Sequence, residues 1–341
     1  MDAKIALTAL IEKRDLTRDE MLSVMQQIMG GELTPVQIAG ILIALRCKGE
    51  TVTEIAAAAQ VMRELATKVP LGVDEHLVDT CGTGGDGAHT FNISTASAIV
   101  AAAAGAKVAK HGGRSVSSTC GSADVLEALG VNVNLTPDQV AQCVNEIGVG
   151  FMFAPNHHSA MRFAAPVRRE LGVRTLFNLL GPMTNPAGAP NQVMGVFHRE
   201  LTGKLAQVLK ELGSHHVLVV HAADGLDEIS LAGDTYVAEL KDGVIREYTL
   251  NPARFNMQTS ASENITVHNI DEAKVMFNVA LDNQSGPARD IVALNAGAAI
   301  YVGGLAQTLE AGVEKAIHVI ASGEARAKLE QLIVFSGRFG S

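Results

Sequence analysis

From about residue 72 the sequence alternates short apolar runs with glycine-rich loops and helical patterns, and this alternation restricts the possible folds most. Leu77-Val78-Asp79 is a predicted strand leading into CGTGGDG, and residues 94–104 predict an Ala-rich helix. The order continues with predicted strands near Val131 and over 107–109, 149–153, 193–197 and 217–221, and predicted helices over 122–129, 136–145, 161–171 and 201–212. We therefore expect an α/β fold with a mainly parallel sheet flanked by helices. Runs 236–240 and 244–248, joined at Asp242-Gly243, predict an added hairpin.

Roughly the first 70 residues predict helices only. Capping boxes predict three helix starts, at Thr17-x-x-Glu20, Thr34-x-x-Gln37 and Thr51-x-x-Glu54. Short helices with wide apolar faces are not stable alone, so they must pack on each other or on a second subunit. We expect a helical domain over 1–70, joined by a later helical segment near 160–190, and an α/β domain over 71–341. A homodimer through the helices and a purely intramolecular bundle are both open at this point.

Composition narrows the functional classes. The 36 acidic and 27 basic residues give a net charge of −9, and 4% aromatic residues without Trp disfavour binding to nucleic acid. The four cysteines have neither disulfide nor zinc spacing, so we expect reduced thiols in a cytoplasmic protein. Residues 291–309 carry no charge, but Asn and Gly residues interrupt them, which favours a buried helix over a membrane span.

The loop Asp79–Gly87 is the first candidate for an anion site. Four of its residues are glycines, which let a backbone approach an anion closely and turn its N–H groups inward. The segment TFNIST then opens a helix, whose N-terminus adds a positive dipole end. An ordinary glycine-rich turn is the alternative.

Two further loops follow predicted strands. KHGGRSVSS, residues 110–118, combines two cations, two glycines and hydroxyls, and DGLDE, residues 224–228, offers carboxylates that suit Mg²⁺. Taken alone, residues 110–118 have a solvated polar loop as their alternative, and for residues 224–228 a surface acidic turn is the favoured interpretation. Because open α/β sheets bind ligands at the carboxyl ends of their strands, we predict that the three loops assemble one phosphate site.

Histidines and arginines between these loops are candidates for a second subsite. His157 and His158 are sequence neighbours whose side chains diverge, so we interpret them as loop or pocket residues rather than zinc ligands. Arg168, Arg169 and Arg174 precede an apolar segment, and one of them can hold a carboxylate in a bidentate pair.

The segments CGTGGDG, TFNIST, KHGGRSVSS, VRRELGVRTLFNLLGPMTNP and DGLDE together resemble the anthranilate phosphoribosyltransferase family, over essentially the whole chain. The resemblance implies a small helical domain joined to a large α/β domain, an architecture shared with pyrimidine nucleoside phosphorylases, and a homodimer. It also implies transfer of 5-phosphoribose from phosphoribosyl pyrophosphate (PRPP) to the amino group of anthranilate, with Mg²⁺, in tryptophan synthesis.

The resemblance also implies roles for individual residues. Ser94, Asp227 and Glu228 match the magnesium ligands, and Gly82, Gly113 and Arg168 match the anthranilate contacts. The family usually has Asn where this chain has Gly113, which offers only backbone groups. The residues that match PRPP contacts are Gly82, Gly85, Asp86, Thr90, Asn92, Ser94, Thr95, Lys110, His111, Gly112, Gly113, Arg114, Ser115, Val116, Ser117, Ser118 and Ser122.

Such a transfer needs no nucleophilic side chain. Breaking the bond between C1 and pyrophosphate builds positive charge on ribose and negative charge on the leaving group, so positioning and charge stabilisation suffice. Lys110 and Arg114 would stabilise the pyrophosphate, and Arg168 would hold the anthranilate carboxylate. The rival functions are a pyrimidine nucleoside phosphorylase-like enzyme and a noncatalytic nucleic-acid-binding relative, the latter expected to carry a basic groove.

Overall fold

A computed structural model describes residues 1–72, 75–114 and 120–340. The chain begins with four helices, α1 (Ala3–Ile11), α2 (Arg18–Gly30), α3 (Pro35–Lys48) and α4 (Val52–Leu65). The predicted capping boxes at Thr17, Thr34 and Thr51 are all present, each with reciprocal hydrogen bonds between the threonine and the Glu or Gln three residues on. The starts of α2, α3 and α4 are thus determined locally.

A seven-stranded sheet follows, made of β1 (Leu77–Thr80), β2 (Lys107–Gly112), β3 (Val149–Phe153), β4 (Asn191–Gly195), β5 (His216–Ala222), β6 (Thr235–Lys241) and β7 (Val244–Leu250). The strand order is β3-β2-β1-β4-β5-β6-β7. The first five strands in this order are parallel, and β6 and β7 continue antiparallel as the predicted hairpin. This confirms the predicted α/β architecture.

Helices cover both faces of the sheet. On one face α5 (Ile93–Ala103) and α13 (Pro287–Val302) pack on alternate strand residues such as Val78 and Leu218. On the other, α7 (Pro137–Ile147) packs near β2 and β3, and α11 (Leu201–Glu211) near β5 and β6. The remaining helices are α6 (Ser122–Ala128), α8 (Ala154–His157), α9 (Ala165–Leu171), α10 (Phe177–Leu180), α12 (Ile270–Leu281), α14 (Leu309–Ala321) and α15 (Glu324–Gly337).

The uncharged stretch beginning at Ile291 lies mostly in α13, which is buried between α5, α14 and the sheet, as predicted. Across the described ranges, no helix combines the length and apolar character that a membrane span requires.

Two predicted elements differ from the structure. The strand expected near Val131 is wrong: residues 131–135 are extended and bury every second side chain, but the amide of Asn132 donates to Ser336 Oγ of α15 (3.1 Å) rather than to a strand. The helix expected over 161–171 is two elements, a 3₁₀ turn at Ser159–Phe163 and α9. Pro166 causes the break, because its missing N–H suits the first turn of a helix and not its interior.

The segment from 159 to 183 lies against the helical bundle. The 3₁₀ turn contacts α2, α9 contacts α3, and α10 contacts α4. Arg63 of α4 adds polar bonds, with its Nε donating to the carbonyl of Met183 (2.6 Å) and its Nη1 to that of Leu212 (3.1 Å). The bundle core is continuous with the α11 face of the sheet.

A polar cluster at the amino end of β5 ties the sheet to α13. Glu239 Oε1 lies 2.9 Å from His216 Nε2 and accepts a hydrogen bond from the Tyr301 hydroxyl (2.8 Å). Burial alone would raise the pKa of Glu239, but hydrogen bonds from His216, Tyr301 and Tyr248 outweigh it and lower the pKa from 4.5 to about 2.

This lowered pKa predicts acid sensitivity. Because the folded pKa lies below the unfolded one, Glu239 stabilises the fold at pH values above about 5, and the contribution is lost as the pH falls towards 2. Glu239→Gln should lower the free energy of unfolding by about 2 kcal/mol at pH 7, and the difference from wild type should shrink below pH 4. Urea unfolding across this pH range tests it, with exposed Glu211→Gln as the control. A difference that stays constant with pH would contradict the role of Glu239.

Candidate active site

Three loops lie together at the carboxyl edge of the parallel strands. The glycine loop (residues 81–87) follows β1, the basic loop (110–118) begins at the end of β2, and the acidic loop (224–228) follows β5. Ser115, Val116, Ser117 and Ser118 of the basic loop lie outside the described residues. Because β1, β2 and β5 are parallel members of one sheet, these loops share one side of it.

The glycine loop contacts the acidic loop directly. The amide of Gly84 donates to Asp227 Oδ2 (2.8 Å), and the amide of Asp227 faces Asp86 Oδ2 (3.4 Å). Two glycines permit this approach: a Cβ at Gly82 would lie 2.7 Å from Asp227 Oδ2, and one at Gly195, at the end of β4, would lie 1.5 Å from the Asp227 carbonyl oxygen. The two loops can pack only where these positions have no side chain.

The start of α5 connects the acidic loop to the basic loop. The amide of Ser94 donates to Glu228 Oε1 (3.1 Å), and Lys110 Nζ donates to Ser94 Oγ (3.3 Å) and to the carbonyl of Thr80. Lys110 is buried, so its charge acts at low dielectric and attracts the neighbouring carboxylates strongly. A hydroxyl, a cation and two carboxylates are thereby brought together.

The negatively charged forms of Asp227 and Glu228 are disfavoured in this site. Burial, reinforced by repulsion from Asp86, raises the pKa of Asp227. Burial and repulsion from Asp227 raise the pKa of Glu228, and the positive charge of Lys110 lowers that pKa only in part. A bound cation would relieve this repulsion.

Asp79 and Asn185 hold the ends of β1 and β2 together beneath the loops. Asp79 accepts from the amide of His111 (3.2 Å) and from Asn185 Nδ2 (2.7 Å), and Asn185 Nδ2 also donates to the carbonyl of Ala109 (2.9 Å). Burial raises the pKa of Asp79 to about 6, despite the nearby charge of Lys110. Asn185 was not predicted from the sequence, because its segment is distant from β1 and β2 along the chain.

His111, His157 and His158 form a buried cluster beside the basic loop. The rings of His111 and His158 meet edge to face with centroids 5.1 Å apart. Burial lowers the pKa of His111 to about 3 and that of His158 to about 4, so both are neutral at pH 7. Nε2 of His157 and Nε2 of His158 are buried without a hydrogen-bond partner, so each can bond a polar group that enters this cluster. Within the described part of the chain, no group of three or more His, Cys, Asp or Glu residues could hold a metal by itself.

The three arginines have different surroundings. Arg168 lies over the Phe177 ring (5.4 Å) and its guanidinium makes no hydrogen bond or ion pair with any described residue, while Arg169 is exposed. Arg174 donates to the carbonyl of Gly85 and lies over the Phe197 ring (4.1 Å), so it supports the glycine loop. Of the three, Arg168 has the free, partly buried guanidinium that carboxylate binding requires.

The other predicted residues lie around the same edge. Asn92 Nδ2 donates to the carbonyl of Cys120 (3.0 Å) and its Oδ1 is buried without a partner, whereas Thr95 is buried within α5. Thr90 forms an isolated bridge with Thr266. Ser122 Oγ donates to the carbonyl of Gly113 (3.3 Å) and fills the space beside Gly112.

Arg114 differs from Lys110 in that its charge is already paired. Its guanidinium binds Asp124 (2.9 Å) and Glu127 (2.6 Å) of α6. The side chain is half exposed, so these pairs exchange readily with solvent.

Comparisons with known proteins agree with this architecture. Residues 4–66 match the glycosyl transferase family, helical bundle domain, and residues 74–326 match the glycosyl transferase family, a/b domain. The anthranilate phosphoribosyltransferase of Thiobacillus denitrificans is 65% identical over 331 residues, covering 97% of this chain and 96% of that protein. That of Methylobacillus flagellatus is 64% identical over 336 residues, covering 98% of each.

Solved structures show the same likeness. The anthranilate phosphoribosyltransferase from Thermus thermophilus superposes with a TM-score of 0.92 at 44% identity, covering 97% of this chain and 99% of that chain. The enzyme from Saccharomyces cerevisiae, solved in complex with PRPP and Mg, has a TM-score of 0.83 at 26% identity, covering 94% and 92%.

The helical bundle and α/β domain therefore define an enzyme of the glycosyl transferase class. Within that class, the chain belongs to the anthranilate phosphoribosyltransferase family.

The contact at Gly195 predicts a strong effect of one methyl group. Gly195→Ala places a Cβ against the Asp227 carbonyl and must displace the acidic loop. A shift of about 1 Å in a catalytic group costs on the order of 100-fold, so we expect a loss of that size in transferase activity. Gly233→Ala is the matched control. Gly233 lies in the same β5–β6 connection as Asp227, and a Cβ there would meet no atom within 4 Å. Equal steady-state activities of the two variants would contradict this packing argument.

Proposed function

We propose that this chain transfers the 5-phosphoribosyl group of PRPP to the amino group of anthranilate, giving N-(5-phosphoribosyl)anthranilate and pyrophosphate in tryptophan biosynthesis. Membership in the family supports the reaction, as does the S. cerevisiae relative in complex with PRPP and Mg. The observation that carries it is the convergence of Gly84, Ser94, Lys110, Asp227 and Glu228 through direct hydrogen bonds between separate loops.

The donor is proposed to bind across the glycine loop, the start of α5 and the basic loop. Backbone N–H groups at glycines and at a helix N-terminus suit phosphate oxygens, and Lys110 adds a buried positive charge. Asn92 contributes a buried carbonyl oxygen without a partner, which can accept from a ribose hydroxyl. Arg114 would contact the donor by exchanging its α6 carboxylates for phosphate.

Mg²⁺ fits the acidic loop. Asp227, Glu228 and the Ser94 hydroxyl are hard oxygen donors, and Mg²⁺ is usually held by one or two carboxylates together with water and substrate phosphates. Burial, and secondarily repulsion between the acidic groups, raises the pKa of both carboxyl groups, and a bound cation would favour their charged forms. When bound, Mg²⁺ would neutralise negative charge on the departing pyrophosphate.

The protein contributes mainly by holding the two substrates in line. The anthranilate nitrogen forms a bond to C1 of ribose while the bond from C1 to the pyrophosphate oxygen breaks with its electron pair, and the amine then loses a proton to solvent water. Arg168 would hold the anthranilate carboxylate, and the neutral His111 and His158 would line the acceptor pocket without competing for that carboxylate. Lys110 would stabilise charge on the leaving group, which is where it increases during the reaction.

Removing the carboxylates tests the metal site. The double variant Asp227→Asn/Glu228→Gln should raise the Mg²⁺ concentration for half-maximal activity by at least about tenfold. The assay follows loss of anthranilate fluorescence with PRPP at varied Mg²⁺. Asp224→Asn, in the same loop but bonded to Ser230 and Leu226, should behave as wild type. Full activity of the double variant at low Mg²⁺ would remove both residues from the site.

Arg168 and Arg169 form a natural pair for testing the acceptor subsite. Arg168→Ala removes the unpaired guanidinium and should raise the anthranilate KM by about 10- to 100-fold, the value of one charged hydrogen-bonded pair. Arg169→Ala removes an exposed neighbour and should change KM by less than about twofold. An unchanged KM with reduced kcat in Arg168→Ala would argue against carboxylate binding.

We also infer that the protein is a homodimer through α1 and α3. These helices border an apolar groove of about 700 Å³, and Ile11 and Val36 beside it are 67% and 81% exposed. Apolar side chains this exposed, grouped on one face, favour a subunit contact. A second copy presents the same face and can cover it symmetrically.

Negative charge introduced on this α1/α3 face should prevent formation of the dimer. Ile11→Glu/Val36→Glu should sediment as a monomer in analytical ultracentrifugation, because association would bury two carboxylates in a mainly apolar contact. Val275→Glu, at a 63% exposed valine of α12, should leave the assembly unchanged. A dimeric double variant, or a monomeric wild type, would exclude this interface.

Domain boundaries and location follow as further proposals. The helical domain comprises residues 1–70 with the segment near 160–190, supported by the contacts of α9 and α10 with the bundle, and the α/β domain comprises 71–341. The four free cysteines support a reducing, cytoplasmic location.

A further inference from the structure

Helix α13 carries one polar side chain inside its most apolar part. Asn295 is the single polar residue between Ile291 and Ile300, and it is only 2% exposed. A buried amide costs free energy unless its donor and acceptor atoms are hydrogen-bonded. Its partners therefore explain why an asparagine is tolerated there.

The Asn295 amide binds the backbone that follows the acidic loop. Its Oδ1 accepts from the amide of Ile229 (2.9 Å), and its Nδ2 donates to the carbonyl of Ile229 (2.9 Å) and to that of Ile291 in its own helix (2.9 Å). In the described ranges, the N–H and C=O of Ile229 have no other hydrogen-bond partner. One side chain thus satisfies both peptide groups of a residue, as a neighbouring strand would.

Ile229 directly follows Glu228, so fixing its backbone restricts the carboxylates before it. On the opposite side, the carbonyl of Asp227 packs on Gly195 of β4. The loop is therefore held between β4, through close packing, and α13, through the Asn295 hydrogen bonds. Neither Asn295 nor Ile229 bonds to Asp227 or Glu228 side-chain atoms, which are left to face the glycine loop and α5.

We propose that Asn295 is a positioning residue that orients Asp227 and Glu228 by fixing the backbone of Ile229, and this rests on the proposed function of those carboxylates. Second-layer contacts of this kind orient metal ligands, and their removal commonly weakens metal affinity 10- to 100-fold. An apolar residue at this position would keep the core packed but leave the Ile229 N–H and C=O unpaired.

Three variants test the proposal. Asn295→Leu removes every hydrogen bond to Ile229 at similar volume. Asn295→Asp keeps an acceptor for the Ile229 amide but loses the Nδ2 donor to the Ile229 carbonyl. Leu294→Ala disturbs α13 packing at a buried neighbour without removing these bonds. Three quantities are measured: the Mg²⁺ concentration for half-maximal activity, the rise in Tm that Mg²⁺ adds to the enzyme with PRPP, and hydrogen exchange at the Ile229 amide.

For Asn295→Leu we expect a half-maximal Mg²⁺ concentration at least about tenfold higher, a smaller Mg²⁺-dependent rise in Tm, and faster exchange at Ile229. Asn295→Asp should be intermediate, and Leu294→Ala should lower Tm while leaving the Mg²⁺ dependence within twofold. If Asn295→Leu does not fold, the same comparison between Asn295→Asp and Leu294→Ala decides the question.

Two results would overturn the proposal. One is a Mg²⁺ dependence in the Asn295 variants equal to that of wild type, and the other is an equal change in Leu294→Ala, which would assign the effect to general destabilisation. A wild-type enzyme whose activity needs no Mg²⁺ would instead overturn the metal site of the proposed function, so the two failures are distinguishable.

Discussion

The close approach of the acidic loop to β1 and β4 is the contact on which the rest of the site depends. The Asp227 backbone lies where a side chain at Gly195 would be, and its carboxylate lies beside Gly82. From that position Asp227 accepts from Gly84, and Glu228 accepts from Ser94 at the start of α5. The order of strands makes this possible, because β4 separates β1 from β5 and ends in a residue without a side chain.

Charge, rather than shape alone, distinguishes this edge of the sheet. The fold buries one cation, Lys110, close to the carboxyl groups of Asp79, Asp227 and Glu228. Burial raises the pKa of all three carboxyl groups. A bound divalent cation would offset that cost for the carboxyl groups, and a phosphate group would pair with Lys110. The buried histidine cluster is neutral at pH 7, so it offers a different environment from the charged groups beside it.

Prediction from the sequence succeeded where the signal was local. The capping boxes determined the starts of α2, α3 and α4. The alternation of strands and helices predicted the parallel sheet, and therefore that the three loops begin at the same edge of it. It failed near Val131, because alternate burial also arises when an extended segment packs on a helix. The hydrogen-bonding roles of Asn185 and Asn295 could not be predicted, since each acts on backbone groups more than 60 residues away along the chain.

The sequence by itself determined the class of fold, the family and the residue types at the site, because propensity, periodicity and ordered motifs are properties of neighbouring residues. Only the tertiary structure decided which of Arg168, Arg169 and Arg174 has a partly buried guanidinium with no partner among the described residues, which glycines leave room for Asp227, and what holds Ile229. Those depend on distances between segments that are remote in the chain, and such distances are set by packing of the whole molecule.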